Sequence, residues 1–477
     1  MGEVRAALEQ VSVKPAQEQP SIAVLPFSNM SADKENEYFS DGLAEEILNS
    51  LVRIPGLKVT ARTSSFAFRG KEQDIRGIAE ALDVKTILEG SVRKAGTRVR
   101  VTAQLINAAD GYHLWSERYD RELTDVFAVQ DEIAAAIAAA LKLKLSGDEA
   151  SVHRHTPTLP AYEAYLKGRY HMLKATPDGW ARGKEFLEQA IALDTGFGDP
   201  HALLGGQYLL LWANGLRPAK EMVPLIRSEA QKAVDLSFDA ARGLLGVVAT
   251  AYDYDWKAAD EQFRWAMAAT TATSELSMSY ATFFLAPAGR LQEAVTLMER
   301  IVASDPLNVP VRSNLSLCLL SAEMYDRAIQ EAHKGLEIDE NFWFAYVALA
   351  AGYLMKGMIA EALVAAERAH QHAPWHARVI GLLAGLLVQA GERSRGEALI
   401  AQLRAPDRLV APGGMVAYHL ICSEIDEAAD WYEKAIEQRD PILIPWLRLP
   451  LANQLRASPR WPKIAAMMNL PETMSQA

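Results

Sequence analysis

At 477 residues the chain is longer than one core organises, since single cores stop growing near ~250–300 residues, so two domains or one domain plus a repetitive array are expected. Half of the residues are hydrophobic and 23% are charged, which excludes a disordered chain. A net charge of -11 without clustered Lys and Arg argues against nucleic-acid binding, and Cys318 and Cys422, far apart in the chain, imply neither a disulfide framework nor a thiolate metal site.

Residues 1–20 lack the apolar core of a signal peptide and read as a flexible tail. The continuous apolar run Ile22 to Phe27 predicts a strand covered on both faces. Phe39, Leu43, Ile47 and Leu51 recur every fourth residue and predict an amphipathic helix, which Pro55-Gly56 ends. Leu57 to Thr63 reads as a second strand, Ile75 to Leu82 as a short helix and Thr86 to Arg93 as a third strand. From Arg98 to Ile106 the chain alternates, with Val99, Val101, Ala103 and Leu105 against Arg98, Arg100, Thr102 and Gln104, as a half-buried antiparallel strand does. Asp110-Gly111 marks a hairpin turn, Tyr112 to Tyr119 the returning strand, and Val126 to Leu141 a closing helix. Residues 21–145 therefore predict a small α/β domain with a mixed sheet, in the order βαβαβββα. Residues 146–160, with Gly147, Pro157 and Pro160 and no apolar period, read as a linker.

Beyond residue 160 strand signals stop and a fixed period begins. Gly289, Glu323, Gly357 and Gly391 are evenly spaced; Ala294, Ala328 and Ala362 keep the same interval, as do Pro306, Glu340 and Pro374. The alanines suit the close crossing of two antiparallel helices, the glycines the tight turn between them, and the prolines the stop of the second helix. The shared interval is about 34 residues, and a helical hairpin of that length with these landmarks resembles the tetratricopeptide repeat (TPR). The register is clearest over 275–403, where Gly396 and Ala398 suggest a two-residue slip in the last unit. Weaker units are read at Phe186 to Ala192, at Leu204 with Tyr208, at Trp256 to Ala266 and at Glu427 to Ala435. About seven to eight hairpins are expected over 161–445, followed by a helical cap over 446–477. The fold class is thus a small mixed-sheet α/β domain followed by an all-α TPR superhelix, an α-solenoid.

Residues 21–145 carry Thr63 to Gly70, Leu88 to Arg93, Trp115 to Arg118 and Asp125 to Asp131, and through them resemble the TolB-like domain of bacterial multidomain proteins. In that family the domain is typically followed by TPRs and often preceded by a class III nucleotide cyclase or a winged-helix DNA-binding domain. The sequence in hand carries neither. The resemblance implies a bacterial signalling or assembly module.

No catalytic residue, metal or cofactor is assigned. His370, His372 and His376 form the one histidine cluster, but Pro374 interrupts the helix that zinc-ligand spacing would need. Cys318 lies between Leu317 and Leu319, as a buried structural cysteine does. Gly196 to Gly198, Gly205-Gly206 and Gly413-Gly414 lack the lysine and spacing of a phosphate loop. Arg69 and Lys71 are the loop cations that an anion would meet, although such residues are more often simply solvated. No apolar run reaches the ~20 residues that span a bilayer, so the chain reads as cytoplasmic, or as periplasmic within a longer membrane-anchored protein.

By the TPR pattern the first helices line a concave groove through the second, fifth, ninth and later positions of each unit. Carried onto this register, those positions are Ser279 and Phe283; Ser313, Asn314, Leu317 and Leu320; and Phe344, Val347, Leu354 and Met355. The expected partner is a protein or peptide laid in a mostly apolar groove. The expected function is a non-enzymatic interaction scaffold. The alternatives are a regulatory module of a bacterial adenylate cyclase or transcription-regulator system, or a small-ligand sensor through the α/β domain.

Overall fold

The computed structural model describes residues 19–71, 74–143, 155–174, 176–269, 273–404 and 411–475. The expected tail up to residue 18 and most of the expected linker, with His153, lie outside these. The chain divides into two compact units between Ser151 and Val152.

In the first unit the sheet order is β3-β1-β4-β5-β6, with β1 Ser21–Val24, β3 Lys58–Val59, β4 Thr86–Ala95, β5 Arg98–Asn107 and β6 His113–Glu122. β1 runs parallel to β3 and β4, while β4, β5 and β6 form an antiparallel meander. The expected strand over 22–27 is divided. Pro26 has no N–H to give the ladder, and pairing resumes as β2, Ser28–Asn29, against Ser91 and Val92 of β4. The expected strand over 57–63 is also shorter, because Arg62–Phe66 turns into helix α2. The main helices are α1 Glu37–Val52, α3 Ile75–Leu82 and α4 Val126–Ala140.

Crossovers between parallel strands are right-handed. The chain moves one way from β1 to β3 and the opposite way from β3 to β4, so α1 and α3 cover opposite faces. α4 packs beside α1 and against β5 and β6. Val99, Val101, Ala103 and Leu105 are buried beneath it, as the alternation predicted.

The second unit is a run of helical hairpins, eight among the described residues. Their helices are α5 Leu159–Met172 with α6 Pro177–Leu193, α7 Asp199–Ala213 with α8 Ala219–Asp235, α9 Arg242–Val248 with α10 Trp256–Ala268, and α11 Ser274–Tyr280 with α12 Leu291–Ser304. Next come α13 Val309–Ser321 with α14 Tyr325–Ile338, α15 Trp343–Met355 with α16 Ile359–His372, α17 Ala377–Gln389 with α18 Arg393–Leu403, and α19 Ala411–Ile421 with α20 Ile425–Glu437. α9 and α11 each run on into a short π turn, Ala249–Asp253 and Ala281–Leu285.

One backbone feature marks the turn inside hairpin after hairpin, a residue with positive φ just past the first helix. It is Gly289, Gly357 and Gly391 where glycine was expected to serve, and Glu323 at φ 59 in the same register. The same device recurs at Gly215, Tyr254 and Ser423, in hairpins whose sequence keeps little of the period. Ala294, Ala328 and Ala362 are fully buried at the crossings. The last unit of the clear register, α17 with α18, has not slipped: Gly396 holds the crossing position one full period after Ala362, and a Cβ there would stand 2.7 Å from the Ala384 carbonyl oxygen. Ala362→Trp should therefore lower stability by about 3 kcal/mol through overpacking; an unchanged melting temperature would contradict the assigned register.

The rest of the chain is a segment of short helical turns, Leu443–Trp446, Pro450–Ala452, Asn453–Arg456, Trp461–Met467 and Glu472–Ser475. Among the described residues no helix is long and apolar enough to cross a membrane.

Candidate protein-binding face

In a simple solenoid each repeat touches only its neighbours. Here the segment after α20 returns to hairpins far behind it in sequence. Trp256 Nε1 donates to the Met468 carbonyl at 2.9 Å, Trp212 Nε1 to that of Arg439 at 3.2 Å, and Arg448 Nε to that of Pro287 at 3.2 Å. One apolar cluster joins Trp212 to Ala328 with Val416 to Met474. Residues 446–477 were expected to form a helical cap; the segment packs on α20 and also joins the apolar cluster of the earlier hairpins, filling the space inside the array.

This placement decides what the ten expected groove residues do. Ser313, Leu317, Leu320 and Val347 are buried, with the Ser313 hydroxyl turned back to the Val309 carbonyl at 3.0 Å. Phe283 packs against the large cluster, and its π turn touches Leu443–Trp446. Phe344 lies beneath the Arg378 guanidinium, 5.7 Å from its ring centroid, and Arg378 covers Trp446 on the other side at 4.6 Å. Leu354 packs against a second cluster around Leu349 and Leu383. Ser279, Asn314 and Met355 are half-exposed; Asn314 Nδ2 is engaged locally, donating to the Pro310 carbonyl at 2.9 Å.

The interior carries charge as well. Arg378, 7% exposed, is held below the usual guanidinium range by burial, at about 10, with Asp440 opposing the shift. Asp440 accepts from the Gly413 and Ile442 amides, each at 3.0 Å. Burial nevertheless pushes its carboxyl up to about 6, against those two hydrogen bonds and Arg378. Because this folded pKa lies above the ordinary carboxylate value, the folded state holds the proton longer than the unfolded chain does. Asp440 thus costs stability as pH rises from about 4 to about 6, by roughly 3 kcal/mol at most. Asp440→Asn should flatten melting temperature against pH across that window; an unchanged slope would show that Asp440 is not its source.

The sequence-level candidates for chemistry find structural roles. Burial holds His376 down to about 3 beside Arg378, and its ring packs on Trp343 with centroids 4.5 Å apart. His372 stacks on Tyr346 at 5.9 Å. Among the described residues no cluster of His, Cys, Asp or Glu could hold a metal ion. Cys318 is fully buried, its thiol pushed up to about 12.

The tetratricopeptide repeat model matches residues 285–352 and 353–411, so the C-terminal region carries TPRs, repeats that bind protein or peptide partners. Residues 17–136 match the model of the HilA/YgeH-like transcriptional regulator, second domain. A curated relative from Rhizobium meliloti (strain 1021), named "Putative adenylate cyclase 3", is 40% identical over 230 residues; the match covers 47% of this chain and 39% of that protein. The chain thus matches well under half the length of this relative. Among solved structures, Pseudomonas aeruginosa PilF is 21% identical with a TM-score of 0.36, covering 48% of this chain and 98% of that one. Human IFIT1 is 15% identical with a TM-score of 0.40, covering 66% and 79%. A TPR protein of Thermus thermophilus is 21% identical with a TM-score of 0.30, covering 42% and 100%.

Proposed function

We propose that this chain is a non-enzymatic, cytoplasmic interaction scaffold whose TPR array binds a protein or peptide partner in a bacterial signalling system. The observation that supports it most is the array itself: consecutive first helices present a half-exposed row, Ser279, Asn314, Phe344, Leu354 and Met355, beside the segment that fills the interior. Ser313, Leu317, Leu320 and Val347 are buried on the same helices, and Phe283 packs against the apolar cluster. A signalling role is supported by the HilA/YgeH-like match, by the TolB-like resemblance of residues 21–145, and by a relative named as an adenylate cyclase. In this reading the chain regulates such a system by docking, and any cyclase chemistry belongs to a partner.

Variants that probe the row must leave the packing beneath it intact. Glutamate at Phe344 would meet Arg378, and at Leu354 it would enter an apolar cluster, so a fold defect could mimic lost binding. Asn314→Arg combined with Met355→Glu changes the row at half-exposed positions only. The double variant should melt like the wild type yet fail to retain the partners that the wild type captures from native lysate. Recovery of the same partners by both would place binding elsewhere.

A further inference from the structure

Among the described residues, part of one sheet face of the α/β unit carries no helix. α1 and α4 share the face over Val99 to Leu105, so the opposite face is covered by α3, which packs on β4. Beside α3 lies a cavity of about 720 Å³, a volume in the range of small-molecule sites. It opens past the carboxyl end of β1, between strands whose connections leave in opposite directions, where open α/β sheets bind ligands.

The floor is built by register. Glu89 of β4 stands directly opposite Gln104 of β5, and Ser91 opposite Thr102, so the two-residue period brings all four side chains to one face. Leu88, Val92, Val101 and Leu105 point to the other face and are buried. All four floor residues are half-buried and line the cavity. Among the described residues none of them has a side-chain hydrogen-bond or ion-pair partner.

The rim separates two cations that look equivalent in sequence. Arg69 is already neutralised, bound to Glu37 at 2.5 Å and to Asp41. Lys71 has no carboxylate partner among the described residues, its Nζ standing 5.8 Å from the centre of the Phe68 ring, and Lys34 lines the same cavity. Two ammonium groups at the mouth suit a phosphate. A floor mixing a carboxylate, an amide and two hydroxyls suits hydroxyl groups, each both a donor and an acceptor.

We propose that this cavity binds a phosphorylated, hydroxyl-bearing metabolite, either a sugar phosphate or a nucleoside monophosphate, with the phosphate at Lys34 and Lys71 and the hydroxyls on Glu89, Ser91, Thr102 and Gln104. The site is independent of partner docking by the array, and the two readings fail separately. The test titrates the full chain by calorimetry and thermal shift with glucose 6-phosphate and AMP, using glucose and inorganic phosphate as controls. One phosphorylated probe should raise the melting temperature and bind more tightly than either control. Lys71→Glu and Gln104→Leu, each melting like the wild type without ligand, should weaken that binding roughly tenfold or more. A response to glucose 6-phosphate alone identifies the sugar class, and one to AMP alone the nucleotide class. The proposal is overturned if neither phosphorylated probe binds, if inorganic phosphate binds equally well, or if both variants keep wild-type affinity.

Discussion

Gly381→Leu will collapse the packing between the last two hairpins and lower the stability of the array by more than about 3 kcal/mol. A Cβ at Gly381 would stand 1.9 Å from the Gly414 carbonyl oxygen, and one at Gly414 would stand 2.4 Å from that of Ala377. The obstacles are backbone atoms of the partner helix, so no rotamer change relieves the clash. α17 and α19 must move apart, and the buried contacts of Ile380, Ala384 and Met415 separate with them. Even Gly381→Ala should cost roughly 1–3 kcal/mol. Gly206 in α7 provides the contrast, since nothing lies within 4 Å of a Cβ placed there. Gly206→Ala should stabilise by about 0.5–1 kcal/mol through helix propensity alone. Urea unfolding of the three variants checks the set, and equal midpoints for Gly381→Ala and Gly206→Ala would refute the close crossing.

Ile464→Asp will loosen hairpins that lie far behind it in the chain. Ile464 is fully buried in the cluster that also holds Trp212, Trp256 and Phe284. A carboxylate placed there is desolvated without a partner, at a cost of about 4 kcal/mol or more. In a linear solenoid this loss would stay in the terminal repeat. Here the terminal segment accepts hydrogen bonds from Trp212 and Trp256 and caps a shared core, so the loss is shared too. Hydrogen exchange should speed up in α7, α9 and α10 as well as in α20 and beyond. Faster exchange confined to α20 and the segment after it would show that the interior segment is not part of the array's cooperative unit.

Much of this architecture was legible because it is written in local periods. The alternation in Arg98 to Ile106, the fourfold spacing from Phe39 to Leu51 and the repeat register of the hairpins each follow from one element facing one environment. Three turns escaped notice for a definite reason. Gly289, Gly357 and Gly391 show their backbone conformation in their residue type, whereas Tyr254 and Ser423 adopt the same positive φ with side chains that do not signal it. The turn at Gly215 has its glycine, but the next turn, at Tyr254, follows at a longer interval than the repeat, so Gly215 falls outside the period. Similarly, the apolar run from Ile22 to Phe27 read as one strand despite Pro26, and the re-pairing of Ser28 and Asn29 with β4 depends on where β4 runs.

The candidate site was less legible. The TPR register put Phe344 and its companions on first helices, but no local pattern reveals that the segment after α20 returns to cover part of that row. The polar quartet on β4 and β5 was half visible, since Thr102 and Gln104 were read as the solvent-facing half of an alternation. Its other half, Glu89 and Ser91, needed the strand register. Arg69 and Lys71 looked alike until Glu37 and Asp41, on an earlier helix, claimed one of them.

The sequence by itself determined the two-part division into a mixed sheet and helical hairpins, because side-chain period reports directly on strand and helix. Tertiary structure alone decided that the solenoid's interior is filled by its own terminal segment and that a polar cavity opens beside α3. Both depend on contacts between residues far apart in the chain, set by packing volume and strand register, which no local spacing encodes.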